Sequence, residues 1–279
     1  MPRLAKRLLT GVIFSILLLL ISLYVLVPIY WAFCISTRSS IVAFSGSSKY
    51  WSHPLSFTNY VFAWRNAQFS LFFGNTLIVS TLVAAFVILF GLSTAYALSR
   101  FRFWGRRAFI VSLLVSQLIP STLLVVPFFL IFKQLGLLNS LWTLIIAYTT
   151  VFLPFNAILM KTFVDGIPIQ LEEAAMIDGC SLGGVIARIL VPLIMPGIFS
   201  VGAFAFINSW NEFLLPLLLI NSAKSFVIAI GLNYMMGQNT AYYGALAAGS
   251  IIALSVPLLL FALMQKYLVA GLTLGGIKG

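Results

Sequence analysis

Long apolar stretches without a charged residue recur along this chain and determine its predicted architecture. Lys, Arg, Asp and Glu are all absent from residues 8–37, 66–99, 108–132, 134–160, 189–211 and 225–265. Because a helix needs roughly 20 apolar residues to cross the hydrocarbon core of a bilayer, each stretch can hold one span. The pattern predicts six membrane-spanning helices at about 8–33, 71–98, 109–132, 138–161, 191–219 and 242–265.

The last charge-free stretch, 225–265, is too long for one span, and its first part is polar. Within this stretch we therefore predict a helix only from residue 242 onward. Prolines inside the predicted spans, such as Pro120 and Pro216, predict kinks, because proline cannot donate the backbone hydrogen bond. The first span is interpreted as a retained anchor, since its apolar run is longer than that of a signal peptide.

Composition agrees with a membrane protein. Of the 279 residues, 62% are hydrophobic and 8% are charged, which leaves too little polar surface for a soluble globule of this size. We therefore expect an all-α fold, a polytopic bundle of six transmembrane helices, in a single domain over residues 1–279.

The net charge of +11 indicates membrane topology. Six spans place both termini on one side, and eleven of the sixteen Lys and Arg residues fall on that side. By the positive-inside rule both termini are cytoplasmic. The basic residues are dispersed among the spans, which favours contact with lipid headgroups over binding to nucleic acid. Arg100, Arg102, Arg106 and Arg107 are expected to be headgroup anchors of this kind.

The negative charge is concentrated in the cytoplasmic loop at about 162–190. This loop contains four of the five acidic residues, Asp165, Glu172, Glu173 and Asp178. Pro168 suits the first turn of a helix, Gly179 can end it in the left-handed conformation, and Ser181 can cap a second short helix. The loop is therefore predicted to be a helix, a tight turn and a helix.

The preference for acids near a helix N-terminus accounts for the position of Glu172 and partly for that of Glu173. It does not account for Asp178, which lies at the C-terminal end, where the helix dipole disfavours an anion. Small and apolar residues beside the acids would suit the groove of a partner protein better than water. We therefore predict a docking surface, with an ordinary solvated loop as the alternative. The predicted docking residues are Glu172, Glu173, Ala174, Ala175, Asp178, Gly179 and Ser181.

The segment EEAAMIDG followed by ARILVP resembles the EAA loop of bacterial ABC-importer permeases. The family pattern is Glu-Ala-Ala, three residues, Gly, nine residues, then Ile-x-Leu-Pro, and here Val191 stands where Leu is usual. Residues 96–107, 208–213 and 267–279 resemble the carbohydrate importers of the maltose type, with the last most like the second permease subunit.

The resemblance implies the permease fold of a type I ABC importer in the bacterial inner membrane. It also implies a heterodimer with a companion permease, two cytoplasmic ATP-binding subunits and an extracytoplasmic solute-binding protein. No phosphate-binding loop of the form GxxxxGK[ST] occurs in the sequence, so we expect a non-catalytic subunit without cofactor or metal, with ATP and Mg on the partner.

The C-terminal tail, residues 267–279, carries a second predicted contact. The resemblance implies that it inserts between the two ATPase subunits. A flexible end is the alternative, because glycines destabilise regular structure and chain termini are commonly disordered. The residues predicted to contact the ATPase are Gly271, Thr273, Gly275, Gly276 and Lys278.

A polar and aromatic cluster in the fifth predicted span is the candidate transport path or gate. It consists of Asn208, Trp210, Asn211 and Glu212. A carboxylate near the bilayer centre costs on the order of 3 kcal/mol, so it should face protein or water. Amides, a carboxylate and an aromatic ring can hold a sugar; the equal alternative is a role in helix contacts or an outer gate. For Gln117, Tyr148 and Asn156 we expect interhelical hydrogen bonds.

The sequence leaves other transport functions open. An ABC permease for glycerol phosphate or amino acids differs from a sugar permease only in the tail and the Trp-Asn-Glu segment. An ion-coupled secondary transporter is less favoured, because it predicts internal inverted repeats and paired intramembrane acids.

Overall fold

A computed structural model describes residues 2–38, 55–236 and 242–276. Within these ranges the regular structure is helical and contains no β-strand, which confirms the predicted all-α class. The α-helices are α1 (Pro2–Ser36), α2 (Thr58–Val61), α3 (Phe69–Arg100), α4 (Arg106–Ser116), α5 (Ser121–Gln134), α6 (Leu141–Asp165), α7 (Ile169–Ile177), α8 (Leu182–Val185), α9 (Val191–Leu193), α10 (Met195–Asn211), α11 (Leu214–Leu219), α12 (Ile228–Met235) and α13 (Tyr243–Gly276).

Four helical segments in the described ranges are long and apolar enough to cross a membrane, and two bent pairs raise the number to six. The four lie in α1, α3, α6 and α13, where the first, second, fourth and sixth spans are predicted. The α13 helix continues past the predicted end at residue 265 to Gly276.

The third predicted span, 109–132, is two helices instead of one. Helices α4 and α5 meet at an angle of 101°. Pro120 immediately precedes α5 with an extended backbone (φ −57°, ψ 133°), so it begins a new helix and does not merely kink a continuous one. The prediction of one continuous helix with a kink at Pro120 is wrong here, because hydropathy records composition and not chain direction.

The fifth predicted span, 191–219, is also broken. The segment from Leu182 to Leu193 meets α10 at an angle of 80°. At its other end α10 stops at Asn211, and Glu212 is extended (φ −68°, ψ 127°) before α11 begins. The predicted continuous helix across Glu212 is therefore wrong.

The helices group into two compact units, Met1–Ser70 with Gly231–Ser255, and Leu71–Ile230 with Val256–Gly279. In the first unit, Asn59 is buried and its Nδ2 donates to the carbonyls of Ser36 at 3.0 Å and Arg38 at 2.8 Å. The Tyr60 hydroxyl lies 2.8 Å from Ser36 Oγ. These bonds fasten α2 to the end of α1.

The second unit contains a large apolar core between residues 72 and 230. Valines of α3, such as Val83 and Val87, pack there with Leu144 and Tyr148 of α6 and Leu215 of α11. This core holds together the ends of α3 and α6, next to the loop that contains α7.

The second unit also contains an ordered segment at residues 220–230 to which the sequence assigned no helix. Asn139 Oδ1 accepts hydrogen bonds from the backbone nitrogens of Asn221 at 2.6 Å and Ser222 at 3.2 Å. Asn75 Nδ2 donates to the carbonyls of Lys224 and Phe226, both at 2.9 Å. Two asparagines thus fix the chain that leads into α12.

Candidate functional site

The loop at about 162–190 has the predicted helix, turn and helix. Gly179 has φ +88°, and Cys180 N donates to Ala175 O at 2.9 Å while Gly179 N donates to Met176 O at 3.1 Å. This pair of bonds is a Schellman motif, which needs a left-handed residue where Gly179 stands. Ser181 Oγ accepts from Gly184 N at 3.3 Å and caps the next helix. The predictions for Gly179 and Ser181 as end signals are confirmed.

Helix α7 has a buried side and an exposed side. Glu172 and Ala175, three residues apart, are buried with 1% and 8% of their surface exposed. On the opposite side lie four exposed residues, which we call the outer face: Glu173, Ala174, Ile177 and Asp178. Ile177 is 86% exposed.

The structure divides the predicted docking residues between these two sides. Glu173, Ala174 and Asp178 share the outer face, and Gly179 and Ser181 are exposed in the turn beyond it. Glu172 and Ala175 instead point into the chain, where α7 packs against α8 and the following helical turn.

Buried Glu172 is held by Arg100, the last residue of α3. Arg100 Nε donates to Glu172 Oε1 at 2.7 Å, and Arg100 Nη2 lies 2.7 Å from the same oxygen. The Tyr96 hydroxyl donates to Glu172 Oε2 at 3.0 Å. Arg100 Nη2 also donates to the carbonyls of Val164 at 3.0 Å and Ile167 at 2.9 Å. We call this arrangement the Arg100 clamp.

The clamp supplies donors to carbonyls at and just beyond the end of α6, where Val164 O also accepts from Ile167 N at 3.1 Å. Carbonyls at a helix C-terminus lack intrahelical partners, and a cation there also suits the helix dipole. Glu172 lies in the first turn of α7, where an anion is favourable. The Arg100 side chain is only 10% exposed, so its predicted role as a headgroup anchor is wrong.

A second polar cluster ties the end of α6 to α3. Asp165 Oδ1 accepts from Ser99 Oγ at 2.6 Å, and Asp165 Oδ2 pairs with Lys161, one turn earlier on α6. Arg100 Nη1 donates to Ser99 Oγ at 3.2 Å. Asp165, the last residue of α6, therefore belongs to the same network as Glu172.

The four predicted path residues do not converge on one point. The Trp210 ring is buried and stacks on Phe206 with centroids 5.6 Å apart, and its other neighbour Phe73 meets it edge-on at 5.6 Å. Asn208 and Asn211 each donate to the carbonyl four residues earlier on α10, at 2.7 and 2.9 Å.

Glu212 has a local structural role. Its Oε1 accepts from the backbone nitrogens of Leu214 at 3.1 Å and Leu215 at 3.3 Å, which are the first donors of α11. The carboxylate therefore begins a helix. This role was not predicted, because the polar residues at 208–212 equally suit a transport path or gate.

The three residues expected to join helices behave differently from the prediction. Gln117 and Asn156 donate to carbonyls of their own helical turns, Leu113 and Phe152. The buried Tyr148 hydroxyl makes no hydrogen bond within the described part of the chain. Interhelical bonds from these amides are thus not found among the described residues.

The predicted tail contact lies partly within α13. The helix includes the backbone of Gly271, Thr273, Gly275 and Gly276, so the glycines do not interrupt it. Lys278 lies outside the described residues. The contact with an ATPase stays a prediction.

The chain is similar to a family of transport components and to characterised permeases. Residues 87–273 match the family described as "Binding-protein-dependent transport system inner membrane component". The chain is 33% identical over 253 residues to the diacetylchitobiose uptake system permease protein DasC of Streptomyces coelicolor, covering 90% of this chain and 91% of the relative. It is 34% identical over 278 residues to the galactooligosaccharides transport system permease protein GanQ of Bacillus subtilis, covering 96% and 95%.

A solved structure has the same fold. A chain of a bacterial ABC transporter involved in the import of alginate, an acidic polysaccharide, superposes with a TM-score of 0.81 at 22% identity, over 93% of this chain and 96% of the other. This agreement confirms the predicted importer-permease fold. By sequence and by fold, the chain belongs to the family of inner-membrane components of binding-protein-dependent transport systems.

Proposed function

We propose that this chain is the membrane-spanning permease subunit of an ATP-driven ABC importer for a sugar or oligosaccharide. The family match and two relatives named for oligosaccharide transport support this proposal. The chain forms half of the translocation path, and a homologous companion permease forms the other half. A solute-binding protein delivers the sugar from the outer side.

The observation that carries the proposal is the outer face of α7. Ile177 is 86% exposed, and Leu171 and Met176 on the same helix and Leu182 at the start of α8 are 44% to 48% exposed. Covering a side chain such as that of Ile177 contributes about 1.5–3 kcal/mol. The outer face therefore favours a protein groove over water, and Glu173 and Asp178 favour basic residues at its rim.

The partner that fits this surface is a cytoplasmic ATPase subunit. Transport against a gradient needs energy, and ATP and Mg are bound by the partner in this proposal. Both termini then lie in the cytoplasm, so the end of α13 with Gly271, Thr273, Gly275 and Gly276 reaches the same partner. Lys278 extends this second contact.

Residues 208–212 form a gate or part of the path at the outer end of α10. Asn208, Asn211 and Glu212 keep polar groups near the break between α10 and α11, where backbone is irregular. Irregular backbone at membrane depth is tolerated where it is buried in protein or lines a water-filled cavity. Trp210 supports this region from the core.

The experiment is reconstitution in liposomes with the companion permease, the ATPase and the binding protein. We expect oligosaccharide to stimulate ATP hydrolysis and to enter the liposomes, whereas glycerol phosphate and amino acids do neither. Stimulation by one of those solutes would reassign the substrate. Uptake by the purified chain without any ATPase would contradict the proposal and favour an ion-coupled transporter.

Two matched variants test the docking surface. Ile177→Glu places a charge at the centre of the outer face and should abolish co-purification of the ATPase. Trp104→Glu is the control, because Trp104 is fully exposed in the loop between α3 and α4 and lies away from α7 in sequence. Equal loss of the ATPase in both variants would contradict docking through α7.

A further inference from the structure

Two neighbouring glutamates of α7 face opposite ways. Glu173 is exposed on the outer face, whereas Glu172 is 1% exposed and binds Arg100 and Tyr96. The buried carboxylate is unable to contact a partner subunit. Within the described ranges its side-chain hydrogen bonds are to Tyr96 and Arg100 on α3.

Arg100 connects three elements at one point. It is the last residue of α3, it donates to the carbonyls of Val164 and Ile167 at the end of α6, and it binds Glu172 on α7. The covalent connection between α6 and α7 consists of residues 166–168 alone. The clamp spans this connection and removes the freedom of α7 to pivot about it.

We propose that Arg100 and Glu172 are positioning residues for transport, which join α7 to the ends of α3 and α6 so that a displacement of α7 moves both helices. The inference rests on the proposed function, because it assumes that an ATPase displaces α7. It assigns two roles within the loop. The ATPase displaces the outer face, and the Arg100 clamp transmits this displacement to α3 and α6.

The chemistry of the pair suits this role. The guanidinium group is planar with donors in a fixed fork, so several hydrogen bonds at once fix its orientation. Here its Nε and Nη2 engage one carboxylate oxygen and two carbonyls at 2.7–3.0 Å. Energetic coupling between sites is carried by such hydrogen-bond networks and by rigid secondary structure.

Stability alone gives no reason for this pair. Replacing a buried ion pair by apolar residues of similar size is often neutral or stabilising, so such pairs are weak evidence for a stabilising role. A directed link between three helix ends, in contrast, requires groups with fixed geometry.

The test uses the assembled transporter in liposomes with an oligosaccharide, and measures sugar transported per ATP hydrolysed. The main variant is the double substitution Arg100→Gln with Glu172→Gln, which removes both charges and so leaves neither buried without its partner. We expect normal amounts in the membrane, normal co-purification of the ATPase, and transport per ATP lower by about tenfold.

Two further variants should lower transport per ATP by smaller amounts. Arg100→Lys keeps the charge but loses the fork, so its transport per ATP should fall between wild type and the double variant. Tyr96→Phe removes one hydrogen bond and leaves the ion pair, so we expect a loss of less than about threefold. This order differs from that of a docking defect, in which ATPase binding itself is lost, as for Ile177→Glu.

The outcomes are distinguishable. Wild-type transport per ATP in the double variant would overturn the positioning role, and so would loss of the protein or of the ATPase from the membrane in parallel with the loss of transport. A wild-type chain that binds no ATPase would overturn the proposed function together with the inference, and the wild-type complex measured alongside reports this directly.

Discussion

The Glu212 carboxylate lies 3.1 Å from the backbone nitrogen of Leu214, and this hydrogen bond begins helix α11 within the fifth predicted span. The chain extends at Glu212 and resumes a helix two residues later. These backbone hydrogen bonds therefore account for an acid at this position without any contact to a substrate.

Replacing Glu212 separates its structural role from a role in transport. Glu212→Gln keeps an oxygen that can accept from Leu214 and Leu215, so we expect thermal stability in detergent and sugar uptake close to wild type. Glu212→Ala removes the acceptor and should cost about 1–2 kcal/mol of unfolding free energy, as for loss of a helix cap. A stable Glu212→Gln protein without uptake would show that the charge itself acts on the sugar or the gate.

Gly179→Val should abolish uptake while the protein remains in the membrane. The φ of +88° at Gly179 is strained for a β-branched residue, although a side chain would meet nothing within 4 Å. Valine at this position should strain the turn that ends α7 by about 1–3 kcal/mol. Uptake and membrane content are measured together.

Gly105 provides the matched control for Gly179. It has φ +87° and nothing within 4 Å of an added Cβ, but it precedes α4 and lies outside the loop that contains α7. Gly105→Val should therefore carry the same strain and retain sugar-stimulated ATP hydrolysis. Normal sugar-stimulated ATP turnover in Gly179→Val would refute the idea that this turn transmits movement.

Gly197→Ala should destabilise the contact between α10 and α6. An added Cβ would lie 2.3 Å from Cγ of Phe163, and such overpacking typically costs about 1–3 kcal/mol. Gly74→Ala is the control, because a Cβ there meets nothing within 4 Å and alanine favours a helix over glycine. Thermal unfolding in detergent compares the two, and equal stability would contradict the close packing.

Asn75→Asp should loosen the segment at residues 220–230. The amide donates to the carbonyls of Lys224 and Phe226, both at 2.9 Å, and a carboxylate would oppose them with lone pairs. Each lost bond to a buried partner costs on the order of 1–3 kcal/mol. Limited proteolysis should cut this segment faster than in wild type. Asn211→Asp is the control, because its amide is exposed and bonds only to its own helix.

Features encoded by neighbouring residues were predictable from the sequence. The long spans in α1, α3, α6 and α13 follow from charge-free stretches, because the bilayer excludes charges over a fixed thickness. The end of α7 follows from Gly179, and the start of α8 follows from Ser181, since capping depends on residues within one turn.

The features that escaped prediction depend on chain direction and on distant partners. Arg100 and Glu172 are 72 positions apart, and nothing in either local pattern identifies the other as its partner. One signal was available: an arginine at the end of one span and an acid at the start of a cytoplasmic helix each suit a helix dipole. The breaks after Ser116 and Asn211 were not predicted, because the hydropathy of a whole span records composition and not chain direction.

The corner between α4 and α5 is largely self-sufficient in hydrogen bonds. Backbone nitrogens of Gln117, Leu118 and Ile119 donate to carbonyls three residues earlier, at 3.0–3.4 Å, and Pro120 has no N–H to satisfy. The chain therefore turns through 101° without an unpaired donor from Gln117 to Pro120. Hydrocarbon penalises unpaired backbone groups and not bends as such, so the N–H groups of this corner need no water molecule or second subunit as a hydrogen-bond acceptor.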